Sequence, residues 1–151
     1  MALNKYVWIE KHFLQLSPNE LYDAMNLRQE VFLLEQKASY LDADNVDQLS
    51  FHLLAYREKS LQGYSRVVPP GVKYREPSIG RIVLRQDSRG TGFSKKLVDK
   101  TVNKSKEFYP NFGIRISAQY PLISFYRSFG FKEVGETYDE DGIPHIEMVL
   151  D

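Results

Sequence analysis

The chain is predicted to be an α/β protein, with a mixed sheet of α+β character covered by helices, and its residue pattern carries that expectation. Strand-like runs come first as a hairpin group, at 51–56 and 61–68, and then alternate with helical patterns. An apolar run, Ile79 to Leu84, leads into the turn Arg89-Gly90-Thr91-Gly92, and that turn opens an amphipathic helix. At 151 residues the chain has the size of a single domain, and no repeat or linker divides residues 1–151.

The elements follow in order. Ser17-Pro18-Asn19-Glu20 reads as a helix start, with Ser17 as the cap, Pro18 at the first helical position and Glu20 closing a capping box. Leu21, Met25, Arg28, Val31 and Phe32 recur at helical spacing, so helix is expected to about Gln36, broken into two pieces. An acidic loop, Tyr40 to Gln48, precedes the two hairpin strands. Pro69-Pro70-Gly71 and Pro77 bracket a loop before the third strand. After the glycine turn, Phe93, Leu97, Val98, Thr101 and Val102 form one buried stripe, leaving Lys95, Lys96, Lys100 and Lys104 to solvent. A strand over 113–118, a short helix over 122–129 closed by Gly130, and an alternating strand over 145–150 complete the chain.

Composition narrows the function. Twenty basic residues balance twenty acidic ones, so no basic excess favours nucleic acid as a partner. The absence of cysteine excludes a disulfide framework, a thiol nucleophile and a thiolate zinc site. No segment supplies the roughly 20 apolar residues of a membrane span, and Met1 to Glu10 lacks the apolar stretch of a secretory leader, so a cytoplasmic location and no membrane partner are expected. Asp42, Asp44 and Asp47 are spaced like calcium ligands but lack the glycine and distal glutamate of that loop, so no metal is expected. Asn103-Lys104-Ser105 matches a glycosylation sequon and reads as a solvated helix turn.

The glycine turn has the build of an anion cradle. Gly90 and Gly92 let the backbone bend tightly and approach a ligand, while the first-turn N–H groups of the following helix lack intrahelical partners. Those donors, the positive helix end and Arg89 favour a phosphate. A P-loop would need Lys-Ser/Thr where Phe93-Ser94 stands, and a dinucleotide fingerprint would need a third glycine at Lys95.

Arg89-Gly90-Thr91-Gly92-Phe93-Ser94, followed downstream by Phe125-Tyr126-Arg127-Ser128-Phe129-Gly130-Phe131, resembles the GNAT superfamily of acyl-CoA-dependent N-acyltransferases. The superfamily's diphosphate motif maps onto Arg89, Gly92 and Ser94, with serine where the family has glycine or alanine. Leu27 to Phe32 with Glu35-Gln36, Ala118-Gln119 and Gly135 to Met148 narrow the resemblance to the ElaA-like branch and extend it over nearly the whole chain.

The resemblance implies a GNAT-like fold: a central, mostly antiparallel sheet in which one parallel strand pair splays apart. It implies acetyl-CoA as acyl donor and a small amine or peptide amine as acceptor, and it leaves room for a homodimer. The amides of Arg89, Gly90, Thr91, Gly92, Phe93 and Ser94 would hold the diphosphate, and Ile82, Val83 and Leu84 would lie along the pantetheine arm. The Leu84 N–H would polarise the thioester carbonyl, and the Tyr126 hydroxyl would approach the coenzyme sulfur and donate to the leaving thiolate. Arg28, Glu35 and His52 would face the acceptor, with Glu35, His52 and His145 as candidates for the base. With Asp42, Asp44 and Asp47 the acceptor wall would be acidic, suiting a cationic amine; ordinary surface charge with Arg28 paired to a carboxylate is the alternative. A non-catalytic acyl-CoA-binding module is the competing function.

Overall fold

The computed structural model describes residues 5–151; residues 1–4, part of the segment inspected for a leader, lie outside the described residues. The element order is β1 (Val7–His12), α1 (Pro18–Arg28), a π-helical extension (Gln29–Glu35), β2 (Phe51–Arg57), β3 (Ser60–Val68), β4 (Ser78–Leu84), α2 (Phe93–Phe108), β5 (Ile114–Gln119), α3 (Ile123–Arg127), β6 (Lys132–Glu140) and β7 (Ile143–Leu150). Strands pair antiparallel in the orders β1-β2-β3-β4 and β5-β7-β6. β1 and β6 add to the strands expected from the sequence.

The two sheets meet at β4 and β5. The Arg115 N–H donates to the Pro77 carbonyl at 3.0 Å, which joins the starts of both strands and makes them parallel neighbours. Beyond that point they diverge into separate sheets. The divergence has a local cause in β4. Tyr64 pairs with Val83 and Arg66 with Gly80, so β4 carries an extra residue against β3, and Arg81 adopts a left-handed φ of 48°. A bulge of this kind bends its strand and ends regular pairing.

Helices cover both faces. α2 buries Phe93, Leu97, Val98, Thr101 and Val102 on one face of the sheet, and Thr101 Oγ1 shares a 2.6 Å hydrogen bond with Ser65 of β3. On the other face α1 and its extension bury Ala24, Leu27 and Val31 against Leu54, Tyr64 and Val83. Burying a side chain such as Leu27 or Val31 contributes about 1.5–3 kcal/mol. α1 begins where its capping box predicts: Ser17 Oγ accepts from the Glu20 N–H at 3.1 Å, and Glu20 Oε1 accepts from the Ser17 N–H at 2.8 Å. The break expected before Gln36 is the change to π-helix, whose last turn closes with the Gln36 N–H on the Val31 carbonyl at 2.9 Å. Among the described residues, no helix is long and apolar enough to cross a membrane.

Candidate active site

The divergence of β4 from β5 leaves a cleft of about 300 Å³, lined by Val31, Glu35, Ile82, Leu84, Gly90 and Tyr126 among others. Its walls are the end of β4, the turn into α2, the π-helical extension of α1 and the short α3. Most of the residues expected around the coenzyme therefore come together: Ile82, Val83, Leu84, Arg89, Gly90, Ser94 and Tyr126 all face one cavity. Thr91, Gly92 and Phe93, also expected around the coenzyme, do not line this cavity; they line a smaller one on the other side of the helix start, because the chain has by then turned into α2.

Alternation along β4 determines which of its backbone groups are free. The Arg85 N–H donates to the Gln62 carbonyl of β3 at 2.7 Å, and Val83 stands opposite Tyr64, so these two residues turn their amides toward β3. Successive residues in a strand point opposite ways, so Ile82 and Leu84 turn their backbone groups into the cleft. Burial of Val83 beneath α1 makes it wall rather than donor.

The turn itself is held from below. Ser88 is buried and its hydroxyl donates to Gln62 Oε1 at 2.5 Å, while Thr91 Oγ1 donates to the Ser88 carbonyl at 2.9 Å. Gly90 and Gly92 have φ of 75° and 82°, which side chains rarely tolerate, and a Cβ on either would stand in open space. Gly92 caps α2 without any side-chain hydrogen bond, so the first-turn amides remain available to a ligand. The residues present thus fit a diphosphate: free amides, a positive helix end and no side chain in the way.

Arg89 lies at the cleft mouth. Its Nε and Nη2 donate to the Leu84 carbonyl at 3.1 and 2.8 Å, and its Nη1 stands 2.8 Å from Glu35 Oε1. The guanidinium thereby ties the turn to the end of β4 and to the opposite wall. Tyr126 is half-buried, its ring edge-on to Phe125 and Phe131. Burial alone pushes its hydroxyl pKa up to about 12, so it stays a proton donor well beyond neutral pH.

The expected acceptor wall needs correction. Arg28 and His52 are 0% and 1% exposed and do not reach the cleft. Arg28 is ion-paired with Asp42 and Asp47, each at 2.8 Å, beneath the Tyr64 ring. His52 Nε2 donates to the Asp47 carbonyl at 2.9 Å, so its Nδ1 accepts from the Tyr64 hydroxyl at 2.6 Å. That arrangement is the neutral tautomer, and burial holds the imidazole pKa below its ordinary value. Of the expected trio only Glu35 stays at the cleft. His145 is also buried, with Nδ1 on the Ile143 carbonyl and Nε2 3.1 Å from Glu140.

The acidic loop is likewise not a free anionic surface. Arg66 reaches Asp44 at 2.6 Å and Asp47 at 2.8 Å, and Arg81 reaches Asp42 at 2.8 Å and Asp44 at 3.3 Å. Three arginines neutralise three aspartates, and the Arg66 and Arg28 guanidinium groups, acting against burial, hold Asp44 and Asp47 below the usual carboxylate range. Sequence reading found Arg28 but missed Arg66 and Arg81. Their signal was an arginine within each of two apolar strands, where an unpaired charge is costly and implies a partner. Among the described residues, no cluster of His, Asp or Glu could hold a metal ion.

Comparison with known proteins identifies the family and the fold. The acetyltransferase (GNAT) domain family matches residues 15–151. A UPF0039 protein of Synechocystis is 41% identical over 144 residues, covering 95% of this chain and 94% of that protein. An acyl-CoA N-acyltransferase from Pseudomonas aeruginosa superposes with a TM-score of 0.93 at 34% identity, over 97% of this chain and all 100% of that one. Escherichia coli ElaA gives a TM-score of 0.92 at 33% identity with the same coverage. The chain belongs to the GNAT family of acyl-CoA-dependent N-acyltransferases.

Proposed function

We propose that the protein is an acetyl-CoA-dependent N-acetyltransferase that passes the acetyl group directly to a primary amine within a ternary complex. The observation that carries this reading is the cleft between the end of β4 and α3, which ends at the uncapped glycine turn. The amides of 90–94 grip the diphosphate, the Arg89 N–H being spent on the Gln86 carbonyl at 3.3 Å, and Ile82 and the Leu84 N–H offer backbone groups to the pantetheine arm. At the thioester, the Leu84 N–H donates to the carbonyl oxygen as negative charge builds on it. The amine nitrogen attacks the carbonyl carbon, the carbon–sulfur bond breaks, and Tyr126 donates to the departing sulfur. With no cysteine in the chain, a thiol-bound acyl intermediate is excluded. Glu35, the one carboxylate that lines the cleft, is the candidate to receive the proton of the incoming ammonium, directly or through water.

Free coenzyme thiol released from acetyl-CoA with a panel of amines tests the reaction. Release above the hydrolysis blank is expected, together with a rise in melting temperature on adding acetyl-CoA. A ligand at 100 times its Kd adds roughly 2.7 kcal/mol. A thermal shift without release would instead indicate a coenzyme-binding module.

A further inference from the structure

A second and larger cavity, about 370 Å³, lies where β4 and β5 begin to part. Gly80 and Arg81 of β4 and Ser117 of β5 form its floor, next to Ile82, where the coenzyme cleft starts. Its side walls are the loops after α1 and before β4 and the β6–β7 hairpin, which supply Tyr40, Lys73 and Glu140. A ligand seated here would approach an acyl group in the cleft from the side opposite the glycine turn.

The charges in this chamber are unequal in availability. Arg66 is consumed by Asp44 and Asp47, and Asp44 by Arg66 and Arg81. Arg81 spends Nε and Nη2 on Asp42 and Asp44, but its Nη1 has no partner among the described residues. Lys73 forms no ion pair among the described residues, and desolvation together with the Arg66 and Arg81 guanidinium groups depresses its pKa. An anion placed beside it would relieve that repulsion. The Glu140 carboxylate, backed by His145, and the neighbouring Asp141 also line the chamber, and Glu140 acts on Lys73 in the opposite sense to the arginines. The chamber therefore offers one unspent cationic corner and one anionic wall.

Resting on the acetyltransferase reading, we propose that this chamber takes an acceptor bearing both an ammonium and a carboxylate, of the amino-acid or short-peptide class. Lys73 and the Arg81 Nη1 read the carboxylate, and Glu140 holds the ammonium before it turns to the thioester. A polycation has no counterpart for the Lys73 corner, so the chamber discriminates against it.

The test uses the full chain with acetyl-CoA and follows thiol release with alanyl-alanine, alanyl-alanine amide and spermidine. The free acid is expected to exceed the amide by about ten-fold in kcat/KM, the scale of one hydrogen-bonded charge. Lys73→Met should erase most of that preference by raising KM for the acid rather than lowering kcat. Equal use of acid and amide, or an unchanged preference in Lys73→Met, overturns the proposal. Turnover of spermidine alone also overturns it and leaves acetyl transfer standing. Calorimetric heat with acetyl-CoA but no turnover of any probe overturns the acetyltransferase reading and this acceptor together.

Discussion

At the scale of single residues the proposed mechanism assigns Leu84 a role through its backbone and Tyr126 and Glu35 roles through their side chains. In that mechanism Leu84 contributes an amide, so replacing its side chain tests packing rather than chemistry. Tyr126 contributes a hydroxyl on a ring fixed by Phe125 and Phe131, and burial holds that hydroxyl protonated. Tyr126→Phe keeps the ring contacts and removes only the donor. It is expected to bind acetyl-CoA within about three-fold of the parent and to lose about 100-fold or more in kcat, the lower end of general-acid contributions. Titration calorimetry and steady-state thiol release measure the two quantities, and unchanged kcat would remove Tyr126 from the mechanism. With its pKa near 12, the hydroxyl does not ionise in the neutral or mildly basic range, so any basic limb in the rate profile there belongs to another group.

At the scale of elements, the position of α2 decides whether the cradle exists, and α2 is seated by its first residue. The Phe93 ring stacks on Tyr6 at 4.0 Å and passes over Gly63 of β3, where an added Cβ would lie 2.7 Å from Phe93 Cε2 and 2.9 Å from Cζ. The ring is trapped between the two, so Gly63→Ala must lift the helix start with it. Overpacking of this kind costs about 1–3 kcal/mol. A lower melting temperature and weaker acetyl-CoA binding are expected together; lost stability with unchanged affinity would mean that the turn adjusts independently of Phe93. Nothing in the sequence pairs Gly63 with Phe93, because the contact is made by folding alone. Local signals were legible: the Ser17 capping box, the glycine turn and the stripe of α2 rest on neighbouring residues. β1 was missed because Val7 to His12 is a half-buried edge strand without clean alternation, and β6 because it is polar, exposed and interrupted between Val134 and Tyr138. The proposed coenzyme half of the site could be drawn from the sequence for the same reason as the turn, being almost continuous from Ile82 to Ser94 apart from Tyr126. The proposed acceptor chamber could not, since Tyr40, Lys73, Ser117 and Glu140 come from distant segments.

At the scale of the whole molecule, the buried polar network couples stability to pH. Arg28, Arg66, Asp47, His52 and Tyr64 lie almost fully inside, each bonded to another member, while the buried Arg28 Nε and Arg66 Nε make no hydrogen bond among the described residues. Removing Asp47 leaves Arg28 to Asp42 and Arg66 to Asp44, each guanidinium short of one buried charge-assisted hydrogen bond, so Asp47→Ala is expected to cost about 1.5–3 kcal/mol. The acid response follows from the direction of each shift. His52 is held neutral with its pKa below the unfolded value of about 6.5, so the unfolded chain binds the extra proton and stability falls as the pH drops below that point. Asp44 and Asp47 are held below the unfolded carboxylate value of about 3.9, so their contribution is complete above it and is lost as the pH falls further. Both effects weaken the fold in acid, in two windows. Melting temperatures measured from neutral pH downward should decline first below about pH 6.5 and more steeply below about pH 4. His52→Gln removes the titrating ring and should flatten the upper window while leaving the lower one, at a reduced melting temperature throughout because the Tyr64 hydroxyl and the Asp47 carbonyl lose well-placed partners. If the variant keeps the parent's slope between neutral pH and about pH 5, another group titrates there and the neutral, buried state of His52 is wrong.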